Sequence, residues 1–243
     1  MKGSLPRALT VAAVVAAAAL AVGPGDIAEA ATVSRVVLSD DFSGDRGAGP
    51  DDDVWTTEGG RGFAWLDGDG RLALGSALRT EKTFGQAYGR AEARIRMWRT
   101  DGAWKALGVL DGSGRVPAGT VETLGSDRVG ADDFHTYAVD WTPTTLTWSL
   151  DGRKVLRFTR TEKGVPLAFV LNLAAGGRYS SGMVVDSMKV TVRVPAPAAW
   201  KAFTSYKAGQ FVGYGKAVYR VREAHTSLPD WRPDLVPALF QKV

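Results

Sequence analysis

Apolar and polar residues alternate with a period of two over much of the chain. The clearest case is residues 88–97, where small and apolar residues occupy one set of alternate positions and charged residues occupy the other. The apolar set is Ala91, Ala93, Ile95 and Met97, and the charged set is Arg90, Glu92, Arg94 and Arg96. Successive side chains of a strand point to opposite faces, so this segment predicts a strand with one packed face and one solvated face.

Asp-Gly pairs separate several of the apolar runs. Asp151 and Gly152 stand between residues 145–150 and residues 153–159, and such a pair fits the tight two-residue turn of a β-hairpin. A second hairpin is predicted within residues 65–74, where two Asp-Gly pairs interrupt the apolar positions. These signals favour antiparallel strands joined by short turns.

Residues 167–173 form a nearly continuous apolar run, which predicts a strand buried on both faces. No segment sustains an amphipathic helical period. Many short strands separated by turns therefore predict an all-β sandwich over residues 32–194.

A second unit follows this sandwich. Residues 195–199 read Pro-Ala-Pro-Ala-Ala and are predicted to be a linker, and residues 200–243 are too few for a substantial core. Eight aromatic residues occur in this segment: Trp200, Phe203, Tyr206, Phe211, Tyr214, Tyr219, Trp231 and Phe240. Some of them must form the core, with Tyr219 favoured by alternation, whereas a row left exposed would offer a surface on which sugars stack.

The first 30 residues have the pattern of a secretory signal peptide. Lys2 and Arg7 precede an apolar run over residues 9–22, and a small-x-small site ends at Ala30. The run is shorter than the roughly 20 residues that a transmembrane helix needs, so we expect residues 1–30 to be removed and the protein to be secreted without a membrane anchor. The chain has no cysteine, so an exported domain would hold together without disulfide bonds.

The distribution of charge along the chain argues against a nucleic-acid partner. There are 30 basic and 26 acidic residues, which gives a formal net charge of +4. The basic residues are scattered and no nucleic-acid-binding motif is present, so we expect a solvated surface and no nucleic-acid partner.

Several segments together resemble glycoside hydrolase family 16, the laminarinase and lichenase group. In chain order they are DDFSG at residues 40–44, YGRAEARIRM at 88–97, FHTYAVDWTP at 134–143, TLTWSLDGRKV at 145–155, LAFVLNLAAGG at 167–177 and VVDSMKVTV at 184–192. The most specific of them is FHTYAVDWTP with the hairpin that follows it. The resemblance covers residues 32–194 and implies a concanavalin-like β-sandwich, or jelly roll, that acts on β-linked glycans.

Residues 200–243 resemble the family 5/12 carbohydrate-binding modules, also called type 3 chitin-binding domains. The resemblance is carried by YKAGQFV at residues 206–212, YGKAVYRV at 214–221 and AHTSLPDWRPDLVPALF at 224–240. It implies a small β module that stacks aromatic rings on chitin or a related insoluble glycan. Trp200, Tyr214 and Trp231 are the candidates for stacking, and each is also a candidate for the core.

The family 16 resemblance implies a catalytic strand with the pattern Glu-x-Asp-x-Glu and retaining chemistry. The first Glu is the nucleophile and the last is the acid/base, and the two carboxylates must lie about 5 Å apart. Residues 118–125 of this chain read Ala-Gly-Thr-Val-Glu-Thr-Leu-Gly. Glu122, followed after two residues by Gly125, matches the acid/base, so the nucleophile position falls on Ala118, or on Pro117 if the strand has a bulge.

The alternative register puts Thr120 at the nucleophile and Leu124 at the acid/base. Either register leaves Glu122 as the one carboxylate of the strand, and no nucleophile is found. Asp111 or Asp127 would have to supply it from a neighbouring loop, and no motif supports either residue.

Further candidates come from the same resemblance. Trp104 matches a family tryptophan that is usually followed by sugar-stacking aromatic residues, but residues 105–108 are Lys-Ala-Leu-Gly. His135 matches a position near the cleft, where it would bond a sugar or hold a strand end. Trp141 is a candidate for lining the cleft, whereas alternation places Trp148 in the core.

A metal site is also implied. Asp41 and Asp186 fall in segments where family members hold a structural calcium on the outer face, and carboxylate oxygens suit Ca²⁺. The resemblance therefore implies one calcium ligand at each position.

Together these features predict a secreted, monomeric, polysaccharide-targeting protein that binds β-glucan or a chitin-like chain. Hydrolysis is doubtful because one of the two catalytic carboxylates is missing. Two alternatives stay open: an active retaining endo-β-glucanase with an unrecognised nucleophile, and a non-catalytic surface protein in which both modules serve attachment.

Overall fold

The computed structural model describes residues 32–58, 64–97, 102–125, 133–173 and 182–242. The predicted signal peptide lies outside these residues. Nearly all regular structure in the described ranges is β, and the helix among them, α1 (Ala103–Ala106), is a single turn. Within these ranges no helix combines the length and the apolar character needed to cross a membrane.

Two compact units divide the chain, one of residues Val36–Val192 and one that contains Arg193–Val243. The larger unit has two sheets. The nine strands of the larger sheet are β1 (Thr32–Asp40), β3 (Ala64–Leu66), β4 (Leu72–Leu74), β6 (Tyr88–Met97), β8 (Gly119–Thr123), β9 (His135–Trp141), β10 (Thr145–Leu150), β11 (Arg153–Arg160) and β13 (Met183–Pro195). Their order is β3-β4-β13-β6-β9-β10-β11-β8, with β1 beside β13.

The smaller sheet has four strands in the order β2-β5-β12-β7. They are β2 (Trp55–Glu58), β5 (Ala77–Thr80), β7 (Leu107–Asp111) and β12 (Leu167–Leu171), and all three pairs are antiparallel. The two sheets enclose one apolar core, so the predicted all-β sandwich is confirmed.

The predicted burial pattern is confirmed in β6 and β12. The apolar side chains of β6 are buried, whereas Arg94 and Arg96 on its other face are exposed. All five residues of β12 are buried, as expected for a strand covered on both faces. Phe169 of β12 packs between Phe84, at 5.5 Å between ring centroids, and Trp141, at 5.3 Å.

Trp141 and Trp148 both lie in this core. Trp141 is only 2% exposed and donates its indole N–H to the Gln86 carbonyl. The expectation that Trp141 lines a cleft is therefore wrong, because the inward face of β9 points between the sheets. Trp148 is buried as alternation predicts, and its indole N–H reaches the Leu107 carbonyl at 2.7 Å.

The β10–β11 hairpin has the predicted turn. Asp151 and Gly152 have φ values of 48° and 80°, as a type I′ turn requires at both central residues. At Gly89 of β6 the chain passes very close to Trp141. A Cβ atom there would lie 2.2 Å from the Trp141 ring and 2.6 Å from the Thr191 carbonyl oxygen, so this position accepts only glycine.

The smaller unit is built from short strands. They are β14 (Ser205–Tyr206), β15 (Phe211–Tyr214), β16 (Ala217–Val221), β17 (His225–Thr226) and β18 (Phe240–Lys242). β14 pairs with β17, and β16 lies between β15 and β18. Its core consists of Tyr206, Val212, Tyr219, Val221 and Phe240, which confirms the prediction that Tyr219 is a core residue.

Candidate functional site

The strand that carries Glu122 is β8, the edge strand of the larger sheet beside β11. Glu122 lies opposite Arg157, and Val121 lies opposite Phe158, which is buried. Because alternate residues share a face, Glu122 points away from the sandwich interior, on the side opposite Val121. All five residues of β8 are exposed, so Glu122 is a solvated carboxylate.

On the outward face of the sheet, no acidic residue lies close to Glu122 along the line of directly opposed residues. Directly opposed residues run from Glu122 through Arg157, Thr147 and Asp140 to Arg90 across five strands. Neighbouring strands are about 4.8 Å apart, so the backbones at Glu122 and Asp140 are separated by about 14 Å. Arg90 also bonds the Asp140 carboxylate at 2.7 Å. Asp140 is thus too far away for the roughly 5 Å separation of a retaining pair.

Asp111, the first proposed substitute nucleophile, holds a turn after β7. Its Oδ1 accepts bonds from the Ser113 hydroxyl and from the backbone N–H groups of Ser113 and Arg115. These bonds, led by the Ser113 hydroxyl, hold the pKa of Asp111 below its ordinary value. Asp111 lines a small pocket together with Ala118. Ala118 lies four residues before Glu122, and four residues of extended strand span about 13 Å. The structure does not bring Asp111 to Glu122.

The two catalytic positions of the alternative register add no acid. Thr120 shares the outward face with Glu122 but carries a hydroxyl group, and Leu124 follows the strand with its N–H bonded to the Val155 carbonyl. Asp127 lies outside the described residues. The two-carboxylate arrangement is therefore not assembled from the described candidates.

An apolar pocket of about 310 Å³ opens on the opposite side of β8. Its lining includes Trp104, Val109, Val121, Trp148 and Phe158. A sugar site needs a few polar groups to fix its hydroxyls, and this lining is almost wholly apolar. Trp104 is 39% exposed, and the Lys105 ammonium lies 5.5 Å from the centre of its ring. Because Trp104 lines the apolar pocket, it lies on the opposite side of β8 from the Glu122 carboxylate.

His135 is tied to the hairpin turn. Its Nδ1 lies 2.7 Å from Asp151 Oδ2, and the Thr136 N–H donates to Asp151 Oδ1 at 2.9 Å. Burial disfavours the Asp151 carboxylate, but the bonds from Thr136 and His135 outweigh it, so the pKa of Asp151 lies below its ordinary value. The geometry supports the strand-end role for His135, since Glu122 is three strands away.

Asp151→Asn is expected to lower stability by less than about 1 kcal/mol near neutral pH, since this partly exposed pair is screened by solvent. Asparagine also fits the first central position of a type I′ turn, so this substitution removes only the carboxylate charge. A carboxylate with a lowered pKa in the folded state stabilises above its unfolded pKa and loses this effect as pH falls through the folded pKa. Urea unfolding of both proteins should therefore converge in strongly acidic buffer. A difference that grows as pH falls would contradict this assignment.

The predicted calcium ligands do not fit a calcium site. Asp186 Oδ2 lies 3.2 Å from Arg94 Nη1, and its Oδ1 lies 3.8 Å from Arg71 Nε, so two cations already neutralise this carboxylate. Asp41 accepts bonds from the N–H and hydroxyl of Ser43. In the described part of the chain no three His, Asp or Glu side chains are grouped to hold a metal ion. The expectation of calcium at Asp41 and Asp186 is not supported.

The three stacking candidates of the smaller unit differ in how far their rings are exposed to solvent. Trp200 donates its indole N–H to the Ser227 hydroxyl and meets Tyr214 edge to face, with ring centroids 5.6 Å apart. The Arg232 guanidinium lies 5.8 Å from the Tyr214 ring. Trp200 and Tyr214 also pack against the core. Trp231 is 36% exposed and is the most accessible ring of the three.

Phe203 is an exposed ring that sequence reasoning did not select. It is one of the eight aromatic residues of the smaller unit, but it lies outside the strands, where alternation predicts no side-chain direction. Its side chain is 73% exposed, more than that of Trp231.

Comparison with known proteins gives two family matches. Residues 199–241 match the model of carbohydrate-binding module family 5/12, and residues 119–178 match that of glycosyl hydrolases family 16.

Curated relatives match parts of the chain. Chitinase A1 of Niallia circulans is 32% identical over 125 residues, which is 49% of this chain and 17% of that protein. Streptogrisin-C of Streptomyces griseus is 52% identical over 44 residues, 18% of this chain and 10% of that protein. The beta-glucanase of Rhodothermus marinus is 27% identical over 166 residues, 49% of this chain and 58% of that protein. The chain thus spans less than two thirds of each relative.

Both resemblances drawn from the sequence are confirmed by these matches. The β-sandwich, the edge strand with its lone carboxylate and the exposed Trp231 lie in the regions that carry them. Residues 119–178 of the larger unit are therefore similar to glycosyl hydrolases family 16, and residues 199–241 of the smaller unit are similar to carbohydrate-binding module family 5/12.

Proposed function

We propose that this is a secreted polysaccharide-binding protein that attaches to chitin or a related β-linked glycan through its smaller module and does not hydrolyse it. Export is proposed from the charged start, apolar run and small-x-small site of residues 1–30. The larger sandwich would then contribute a stable β scaffold beside the binding module.

The observation that carries the proposal is the exposed Trp231 ring in a module of the chitin-binding type. A flat aromatic face offers apolar contact to a pyranose ring with little desolvation of polar groups. The similarity to Chitinase A1 supports a chitin-like ligand, and the similarity to a beta-glucanase supports β-glucan as the alternative ligand.

The lack of hydrolysis is proposed from the surroundings of Glu122. A working acid/base needs a raised pKa from an apolar setting and a nucleophile close by. Glu122 is exposed on an edge strand, lies opposite a cation, Arg157, and is about 14 Å from Asp140 on its row. Among the described residues, this setting provides neither the apolar surroundings nor the nearby carboxylate that such catalysis requires.

Purified protein and its Glu122→Gln variant are therefore expected to release reducing sugar from laminarin, lichenan and chitosan no faster than buffer does. Both should co-sediment with chitin to the same extent, because Glu122 and the binding module lie in different units. Hydrolysis by the unaltered protein that is abolished in the Gln variant would establish the endo-β-glucanase alternative. Failure of both proteins to sediment with chitin or insoluble β-glucan would favour attachment to another partner.

A further inference from the structure

Phe203 has the highest exposed fraction, 73%, of the large apolar side chains in the described ranges. In this part of the chain its ring packs against no other aromatic ring and against no cation. A single exposed apolar residue is ordinary, but this one also has an unusual backbone.

The φ angle of Phe203 is 58°, in the left-handed region that bulky residues rarely adopt. The conformation is held by a backbone bond from the Phe203 N–H to the Ser227 carbonyl, at 2.6 Å. Glycine would take this conformation without strain, and the mostly exposed phenyl ring does not belong to the core cluster of the smaller unit. A strained residue that adds nothing to packing suggests a role in binding.

Ser227 connects Phe203 to the proposed glycan-binding ring. The Ser227 side chain is buried, and its hydroxyl accepts the Trp200 indole N–H and lies 2.9 Å from His225 Nε2. The His225 ring in turn lies 6.0 Å from the Trp231 ring, centroid to centroid. One network of contacts through Ser227 and His225 therefore connects the Phe203 backbone to the Trp231 ring.

An exposed apolar residue lies in the segment that joins Ser227 to Trp231. Leu228 follows Ser227 directly and is exposed, and its carbonyl accepts the Trp231 N–H at 2.9 Å in a tight turn. Phe203, Leu228 and Trp231 are thus three exposed apolar residues linked through the backbone of residues 227–228, and the set is called here the Phe203–Trp231 surface.

We propose that Phe203 is a second stacking residue, which contacts a sugar ring of the same polysaccharide chain that Trp231 binds. The inference rests on the proposed function, since it assigns the ligand of the same module. A polysaccharide is the occupant because a chain of pyranose rings can contact more than one exposed aromatic ring, and because the contacts through Ser227 and His225 tie Phe203 to the ring already assigned to the glycan.

The test compares Phe203→Gly, Phe203→Tyr and Trp231→Ala in the full chain, by binding isotherms on chitin and by thermal unfolding. Phe203→Gly is expected to weaken binding about fivefold to tenfold, since one stacked ring is lost. Its melting temperature should be unchanged or higher, because glycine relieves the left-handed strain. Phe203→Tyr retains the ring and should bind within about twofold of the unaltered protein.

The outcomes separate this inference from the function it rests on. Unchanged chitin binding by Phe203→Gly, together with a loss in Trp231→Ala, would overturn the role of Phe203 and leave the module a chitin binder. No binding by the unaltered protein would overturn both. If Phe203→Gly instead converts a self-associating protein to a monomer in light scattering with no change in chitin binding, the surface is a contact between copies and the inference is wrong.

Discussion

Replacing Trp231 with alanine is expected to weaken binding to chitin by about 30-fold or more, the equivalent of about 2 kcal/mol, as for a central aromatic contact. The reason is that Trp200 and Tyr214 are engaged with each other and with the core, so Trp231 is the main accessible ring among the three. Depletion of the protein from solution by chitin suspensions measures the effect.

The chain offers a matched control for this prediction. Trp65 in β3 is 44% exposed, as accessible as Trp231, but lies in the larger unit. Trp65→Ala should leave chitin binding unchanged. The reverse result, in which Trp65→Ala loses binding and Trp231→Ala keeps it, would move the glycan site to the sandwich and contradict the proposed function.

Gly89→Ala is expected to destabilise the sandwich by about 3 kcal/mol or more, because the new methyl group overlaps two neighbours. One is the Trp141 ring at 2.2 Å, which is buried and fixed by its bond to the Gln86 carbonyl. The other is the Thr191 carbonyl oxygen at 2.6 Å, a backbone atom of β13. Thermal unfolding should show the sandwich transition lowered by roughly 6 to 12 °C.

Gly85→Ala is the control, since a Cβ there would meet only Pro166 Cγ at 3.8 Å, an ordinary contact. It should change stability by no more than about 0.5 kcal/mol. The double variant Gly89→Ala/Trp141→Leu should lose about 1 kcal/mol less unfolding free energy than the sum of the two single variants, because the overlap with the ring disappears. If the two stability changes were strictly additive, the overlap with the Trp141 ring would not be the cause of the destabilisation by Gly89→Ala.

The two faces of β8 have different surroundings. Its inward residue Val121 lines an apolar pocket, and its outward residue Glu122 faces solvent beside Arg157. An edge strand with exposed, unpaired backbone groups is a site of unwanted strand pairing, and a charged side chain there opposes it. A charge at Glu122 therefore has a use that does not require catalysis.

Local sequence patterns are sufficient to predict the strands, the hairpins and the resemblance of each module to a known family. Alternation in β6, the apolar run of β12 and the Asp151-Gly152 turn are local patterns, and local patterns follow directly from strand geometry. The core role of Trp148 and Tyr219 follows from the same rule. The family resemblances rest on residue order, so they also need no tertiary information.

The surroundings of the lone carboxylate and the exposure of each ring depend on how strands and loops distant in sequence pack together. Alternation says that Glu122 and Val121 lie on opposite faces, but not that β8 is an edge strand beside β11 with Asp140 three strands away. Strand order depends on contacts between residues far apart in sequence, and the same period-two pattern fits an edge or a central strand. The exposure of Phe203 was likewise decided by its left-handed backbone and its bond to Ser227, because a loop has no period from which a side-chain direction follows.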